Sequence, residues 1–213
     1  KEEKENKKDE KGETELFKRT TNKEKIKKLI EKGANINEKN KRKQTPLHTQ
    51  IENRNEEAVK ELLKQKEKIK KEERDNVGYT PLHMAIKGGL KNIVEKLIKQ
   101  KDVNINKKDY IKNTPLQIAI KKKETEIALI LIEKGATVYT KNRHEEKAMH
   151  DAVRTQQYIL LKKIMEKDEK VNELNEDKQN MLHILLEAIK KPKKKKEEIT
   201  YYWYSDEEDD WIV

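Results

Sequence analysis

The sequence predicts an all-α fold, a solenoid of about five full repeats and a C-terminal half repeat, with short β-hairpin loops between the units. A Thr-Pro-Leu tripeptide starts at Thr45, Thr80 and Thr114, at spacings of 35 and 34 residues. Only 32% of the 213 residues are hydrophobic and 43% are charged, which is too little apolar material for a deep globular core. The apolar residues are nevertheless spread evenly, as expected when each repeat covers two neighbours with one apolar layer.

Each tripeptide opens a four-residue motif that is typical of a helix start. Thr is a good N-cap because its hydroxyl accepts an amide hydrogen bond, and Pro suits the first helical position, where its missing N–H is no loss. The strong copies are Thr45-Pro46-Leu47-His48, Thr80-Pro81-Leu82-His83 and Thr114-Pro115-Leu116-Gln117, and the weaker ones are Thr14-Glu15-Leu16-Phe17, Lys147-Ala148-Met149-His150 and Asn180-Met181-Leu182-His183. The motif resembles the Thr-Pro-Leu-His signature of the ankyrin repeat family, over roughly residues 9–191.

A second apolar stretch follows each of the first five motifs. Its spacings of one, three and four residues place the apolar side chains on one helical stripe. Gly33 and Gly135 end two of these helices, at a position where φ is usually positive. Elsewhere this Gly is missing, and the Asp-x-x-Gly before the motif survives only at 9–12 and 75–78. The repeats are therefore degenerate, the fifth and sixth most of all.

These patterns divide the chain into three parts. We expect a charged, flexible N-terminal segment at 1–8, a repeat array at 9–191 and a basic, then aromatic and acidic tail at 192–213. The approximate repeat bounds are 9–39, 40–74, 75–108, 109–141, 142–174 and 175–191. Both end repeats are atypical, as expected of caps that show one face to water. Because the chain begins at Lys1 and not at Met, we expect a fragment or a processed product.

Candidate chemical sites are few. The chain has no Cys, which excludes disulfides, a thiolate nucleophile and Cys-ligated zinc. Four of its five His fall on one motif position, where the resemblance implies a hydrogen bond to a neighbouring loop; the fifth, His144, is predicted at a loop tip. No phosphate-binding glycine motif or nucleophile elbow occurs. We therefore expect no catalytic residue, no metal and no cofactor.

The resemblance implies that the loop tips and the outward face of the first helices line a concave, partner-binding groove. Carried over position by position, the candidate residues are Lys41, Arg42, Val77, Tyr79, Lys87, Tyr110, Ile111, Lys121, Lys122, Arg143, His144 and Arg154. Apolar and aromatic members stand at tips that should be exposed, with basic members on both sides, as in binding hot spots. We expect a partner with an aromatic or apolar anchor and acidic flanks, and expect Ala at Tyr79 and Tyr110 to abolish binding without unfolding. The alternative is that these tips pack on one another and are only structural.

The tail differs from the array. A basic run at 190–196 resembles a nuclear-import signal, and five of the ten aromatic residues lie at 201–213, among the acidic residues 206–210. This tail has three interpretations: the start of a further domain, a linear motif for another protein, or self-docking of residues 200–213 in the basic groove.

The sequence favours a non-catalytic protein–protein interaction module, a scaffold that holds another protein with an acidic patch. The alternative is the substrate- or host-targeting arm of a larger effector whose enzymatic domain lies outside this chain. Nucleic-acid binding is disfavoured, because a net charge of +10 also arises from a lysine-biased composition and no recognition helix is present. No apolar run is long enough to span a membrane. We expect a cytoplasmic, reducing location, with secretion into a host cell or nuclear import as alternatives.

Overall fold

The computed structural model describes residues 6–19, 22–65 and 68–167, and these parts of the chain are helical. A 3-10 helix, Glu15–Phe17, comes first. The α-helices that follow are α1 (Lys23–Glu31), α2 (Pro46–Glu52), α3 (Glu56–Leu63), α4 (Pro81–Lys87), α5 (Lys91–Ile98), α6 (Pro115–Lys121), α7 (Thr125–Glu133), α8 (Ala148–Arg154) and α9 (Tyr158–Met165). The predicted sixth copy, the segment 1–5 and the tail lie outside the described residues.

The helices form two layers. The first helices of the repeats, α2, α4, α6 and α8, pack on one another in order, and the 3-10 helix packs on α2. Each of these four also packs on the second helix that follows it, and second helices of neighbouring repeats pack together. The predicted all-α repeat solenoid is thereby confirmed.

The core is one continuous apolar layer between these helices. The first helices bury the second and sixth residues after the N-cap, as Leu82 and Ile86 do in α4, both at most 1% exposed. The second helices bury their third, fourth and seventh residues, as in Ile93, Val94 and Leu97 of α5. Full burial of such side chains contributes about 1.5–3 kcal/mol each. Helical periodicity in the sequence therefore identified the core residues.

The loops before the first helices are turns, so the predicted β-hairpin loops are wrong for the described residues, which contain no strand. A side-chain oxygen five residues before the N-cap organises each loop: Asp75 Oδ1 accepts the amides of Val77 and Tyr79 at 3.1 and 2.8 Å. The same position is occupied by Asp9, Asn40, Asp109 and Asn142. Neighbouring loops are linked by isolated backbone bonds such as Asn76 N–H to the Arg42 carbonyl (3.0 Å), and these are too few to form a ladder.

Each loop also has a residue with positive φ two positions before the N-cap. Gly12 and Gly78 occupy it in two repeats, but Lys43, Lys112 and Glu145 adopt the same conformation. At Gly78, φ is +88° and a Cβ atom would lie 2.6 Å from the Tyr110 ring. Both the backbone conformation and the contact with Tyr110 therefore require Gly at this position. The loop geometry thus survives in repeats that have lost the Gly that marks it in the sequence.

Candidate functional site

The outward face of the first helices carries one repeated side-chain contact. In each of four repeats, the residue before the N-cap contacts the residue seven positions after the N-cap. The four pairs are Gln44–Glu52, Tyr79–Lys87, Asn113–Lys121 and Glu146–Arg154. These residues, with the neighbouring loop tips, form what we call the first-helix surface, which is the surface that the sequence predicted as the groove.

The chemistry of the pairs changes along the array. In the second repeat Gln44 Nε2 donates to Glu52 Oε2 at 3.3 Å, so this end of the surface carries a carboxylate. In the third repeat Lys87 Nζ lies 5.3 Å from the centroid of the Tyr79 ring, a cation–π contact. In the fourth, Lys121 Nζ donates to Asn113 Oδ1 at 3.0 Å. At this helix position the side chain therefore changes from a carboxylate in the second repeat to a lysine in the third and fourth repeats.

The fifth repeat buries several charged groups at this surface. Burial raises the pKa of Glu146, but Glu146 forms an ion pair with Arg154. This ion pair lowers the pKa of Glu146 below its ordinary value. Asp151 is only 3% exposed, and its Oδ2 atom has no hydrogen-bond partner. Burial raises the pKa of Asp151 to about 7, against the opposing charge of Lys121. Sequence patterns did not point to Asp151, although it occupies the position of Thr49, Met84 and Ile118.

The two tyrosines predicted at the site lie in different surroundings. Tyr79 is half-buried, packs against the core and stacks on the His83 ring, with centroids 6.0 Å apart. Tyr110 is 56% exposed, lies under the Arg74 guanidinium and helps to line a cleft of about 910 Å³ between consecutive loops. Lys39, Lys43 and Lys107 also line this cleft. Tyr79 therefore contributes to folding, which makes the expected Tyr79→Ala substitution a poor test of binding.

The remaining predicted residues divide by exposure. Val77 at 40% is exposed at its loop tip, whereas Ile111 is half-buried. The exposed basic members are Lys41, Arg42, Lys87, Lys122, Arg143 and His144. Arg42 contacts Glu52 at 3.4 Å and Arg143 Nε donates to His144 Nε2 at 3.1 Å, whereas Lys122 forms no ion pair with any described residue.

Of the motif histidines, His48 makes the bond to a neighbouring loop that the resemblance implied, whereas Nε2 of His83 and of His150 is buried without a hydrogen-bond partner among the described residues. His48 Nδ1 accepts the Thr45 amide at 3.2 Å, and the opposite ring nitrogen donates to the Tyr79 carbonyl of the next loop at 3.1 Å. Burial lowers the pKa of His48 to about 4, and burial does the same for His83. Among residues 6–19, 22–65 and 68–167, no cluster of three or more His, Asp or Glu side chains could hold a metal ion.

Comparison with protein families identifies the repeats. Residues 16–109 match the family model described as ankyrin repeats, in three copies. No curated protein matches the chain. Within the described part of the chain, no helix has the length and apolarity needed to cross a membrane.

Proposed function

This chain is an ankyrin repeat protein, and from that premise we propose that it binds an acidic protein segment with an apolar anchor on its first-helix surface, without catalysing a reaction. Ankyrin repeats are generally protein–protein interaction modules. The supporting observation is the run of cations in the third and fourth repeats, Lys87, Lys121 and Lys122, next to exposed apolar groups at the loop tips.

The distribution of charge on the first-helix surface favours one part of the array for this site. In the second repeat Glu52 contacts Arg42 and offsets its charge, so an acidic segment is favoured over the third to fifth repeats, where Lys122 and Arg143 are exposed. Complementary charge raises the association rate and suppresses partners of the wrong sign. Val77 and Tyr110 supply the apolar contact, and aromatic side chains at such sites carry a large share of binding energy.

The test is affinity capture from cell lysate at several salt concentrations. We expect the double variant Lys87→Glu/Lys122→Glu to weaken capture by at least about tenfold, corresponding to about 1.4 kcal/mol. Tyr110→Ala should weaken it at all salt concentrations, because its contribution is apolar. The matched control is Lys27→Glu/Lys99→Glu, which changes the same charge at exposed positions on the second-helix side.

Circular dichroism of each variant shows whether the array remains folded. Capture at the wild-type level by both double variants would show that the partner binds elsewhere and would refute the proposal. Equal loss in both would show that only net charge matters, which also contradicts a specific surface.

A further inference from the structure

The outward face of α9 is apolar at positions where the other second helices are polar. The first two residues of these helices are Glu56 and Glu57 in α3, Lys91 and Asn92 in α5, Thr125 and Glu126 in α7, and Tyr158 and Ile159 in α9. In the earlier repeats these positions form a ridge of polar contacts, such as Lys91 Nζ to Glu126 Oε2 at 3.0 Å. In α9 they are large apolar groups exposed to water.

Three α9 residues form this exposed patch. Tyr158 is 57% exposed, Ile159 is 72% exposed and Met165 is 47% exposed. Tyr158 and Met165 are seven residues apart, so they lie on one stripe of the helix. Ile159 lies about 100° around the helix from Tyr158, on the side away from the buried Leu161 and Ile164. We call these three residues the α9 patch. The side of α9 that carries Leu160, Leu161 and Ile164 packs in the core, and the described residues leave the α9 patch exposed.

We propose that the α9 patch is the docking site of residues 201–213 of the same chain. This segment contains both tryptophans of the protein and three of its seven tyrosines. It therefore has aromatic side chains that can cover the apolar residues of the patch. It follows α9 in the sequence, with residues 168–200 between them, so the association is intramolecular. The docking does not depend on the proposed function of the first-helix surface.

Charge complementarity supports the same occupant. Lys162, Lys163 and Lys167 lie on or just after α9, and Lys162 and Lys167 are exposed. Lys163 contacts Glu166 Oε2 at 3.3 Å, which leaves the other two without an ion pair to any described residue. Residues 206–210 of the tail are all acidic and are flanked by Trp203 and Trp211. An apolar patch with adjacent cations therefore meets a segment with aromatic groups and adjacent carboxylates.

Tryptophan fluorescence of the full chain tests this directly, because Trp203 and Trp211 are the only tryptophans. We expect wild-type emission to be blue-shifted, and less quenched by acrylamide, than that of a synthetic peptide of residues 201–213. Ile159→Glu should shift both properties to those of the free peptide. The matched control is Asn92→Glu, which places the same side chain at the equivalent position of α5 and should leave them unchanged.

Three outcomes would overturn the proposal. Wild-type quenching equal to that of the peptide would show that the tail does not dock. A loss of the blue shift in Lys122→Glu but not in Ile159→Glu would place the tail on the first-helix surface. A signal that depends on protein concentration would assign the tail to a second copy. Because Ile159 is exposed and α3 and α7 carry Glu at its position, Ile159→Glu should fold normally, and circular dichroism checks this.

Discussion

The first helices of the central repeats and the first helix of the fifth repeat have the same backbone conformation at their start. They differ in the side chains at the N-cap and in the first turn. In α6, Gln117 N–H donates to Thr114 Oγ1 at 3.3 Å, and Gln117 Oε1 accepts the Thr114 amide at 3.1 Å. In α8, His150 Nδ1 accepts the Lys147 amide at 3.0 Å, but the Lys147 side chain has no oxygen, so the His150 amide donates to the Lys147 backbone carbonyl instead, at 3.0 Å. The fifth repeat therefore keeps half of the reciprocal cap.

The difference continues one position further along the helix. The central helices place Thr49, Met84 and Ile118 there, and α8 places the buried carboxyl group of Asp151. The comparison teaches that the array tolerates loss of its motif, because packing and loop geometry are kept. The loss instead changes how the fifth repeat responds to pH, since its first helix buries an acid whose pKa is raised to about 7.

The largest effect is expected at Asp151. Because the folded protein binds the Asp151 proton more tightly than the unfolded chain does, the free energy of unfolding falls as pH rises from about 4 to about 7. Asp151→Asn removes this titration, and we expect it to stabilise the protein by about 4 kcal/mol at pH 8 and about 2 kcal/mol at pH 5. Urea unfolding at both values measures it.

Asp9→Asn is the matched control, because Asp9 is exposed and Asn occupies its position in two other repeats. It should have little effect at either pH. If Asp151→Asn changes stability equally at pH 5 and pH 8, the Asp151 carboxyl is not the group that titrates.

His48, in a central repeat, should show the opposite pH dependence. The folded pKa of His48, about 4, is below its ordinary value, so the unfolded chain binds the proton more tightly and stability falls as pH drops from about 6.5 to about 4. Gln can replace this His, because Gln117 Nε2 makes the corresponding bond to the Glu146 carbonyl at 2.8 Å. We expect His48→Gln to change stability by less than about 0.5 kcal/mol at pH 7.5 and to add about 2 kcal/mol at pH 5.

The same urea titrations measure this variant. His144→Gln is its control, since His144 is exposed at a loop tip. Stabilisation of the same size in both variants at pH 5 would contradict the burial argument.

Sequence patterns predicted the parts of this fold that depend on local chemistry. Helical periodicity found the buried stripes, and the Thr-Pro-Leu motif found the starts of α2, α4 and α6. Lys43, Lys112 and Glu145 show where that reasoning fails. The missing Gly suggested degeneracy, but these residues adopt positive φ in loops that keep their side-chain hydrogen bonds to Asn40, Asp109 and Asn142.

The candidate surface was less predictable than the fold. The sequence placed Tyr79 and Lys87 at the surface, but their cation–π contact depends on how the loop lies over the helix. The raised pKa of Asp151 depends on burial that only the packed array supplies. Its position was nevertheless visible in the repeat alignment, because an acid replaces Thr, Met and Ile there.

The smallest effect concerns the proline that the fifth repeat lacks. Pro46, Pro81 and Pro115 stand at the first helical position of the central repeats, and Ala148 occupies it in α8. Lys147 already has the extended conformation that a following Pro requires, with φ of −92° and ψ of 165°. Ala148→Pro should therefore restrict the unfolded chain without straining the folded one, and we expect about 0.4–1 kcal/mol of added stability. Pro81→Ala should lower stability by a similar amount in thermal unfolding. Destabilisation by Ala148→Pro would show that the start of α8 differs from those of the central helices in its backbone as well as in its side chains.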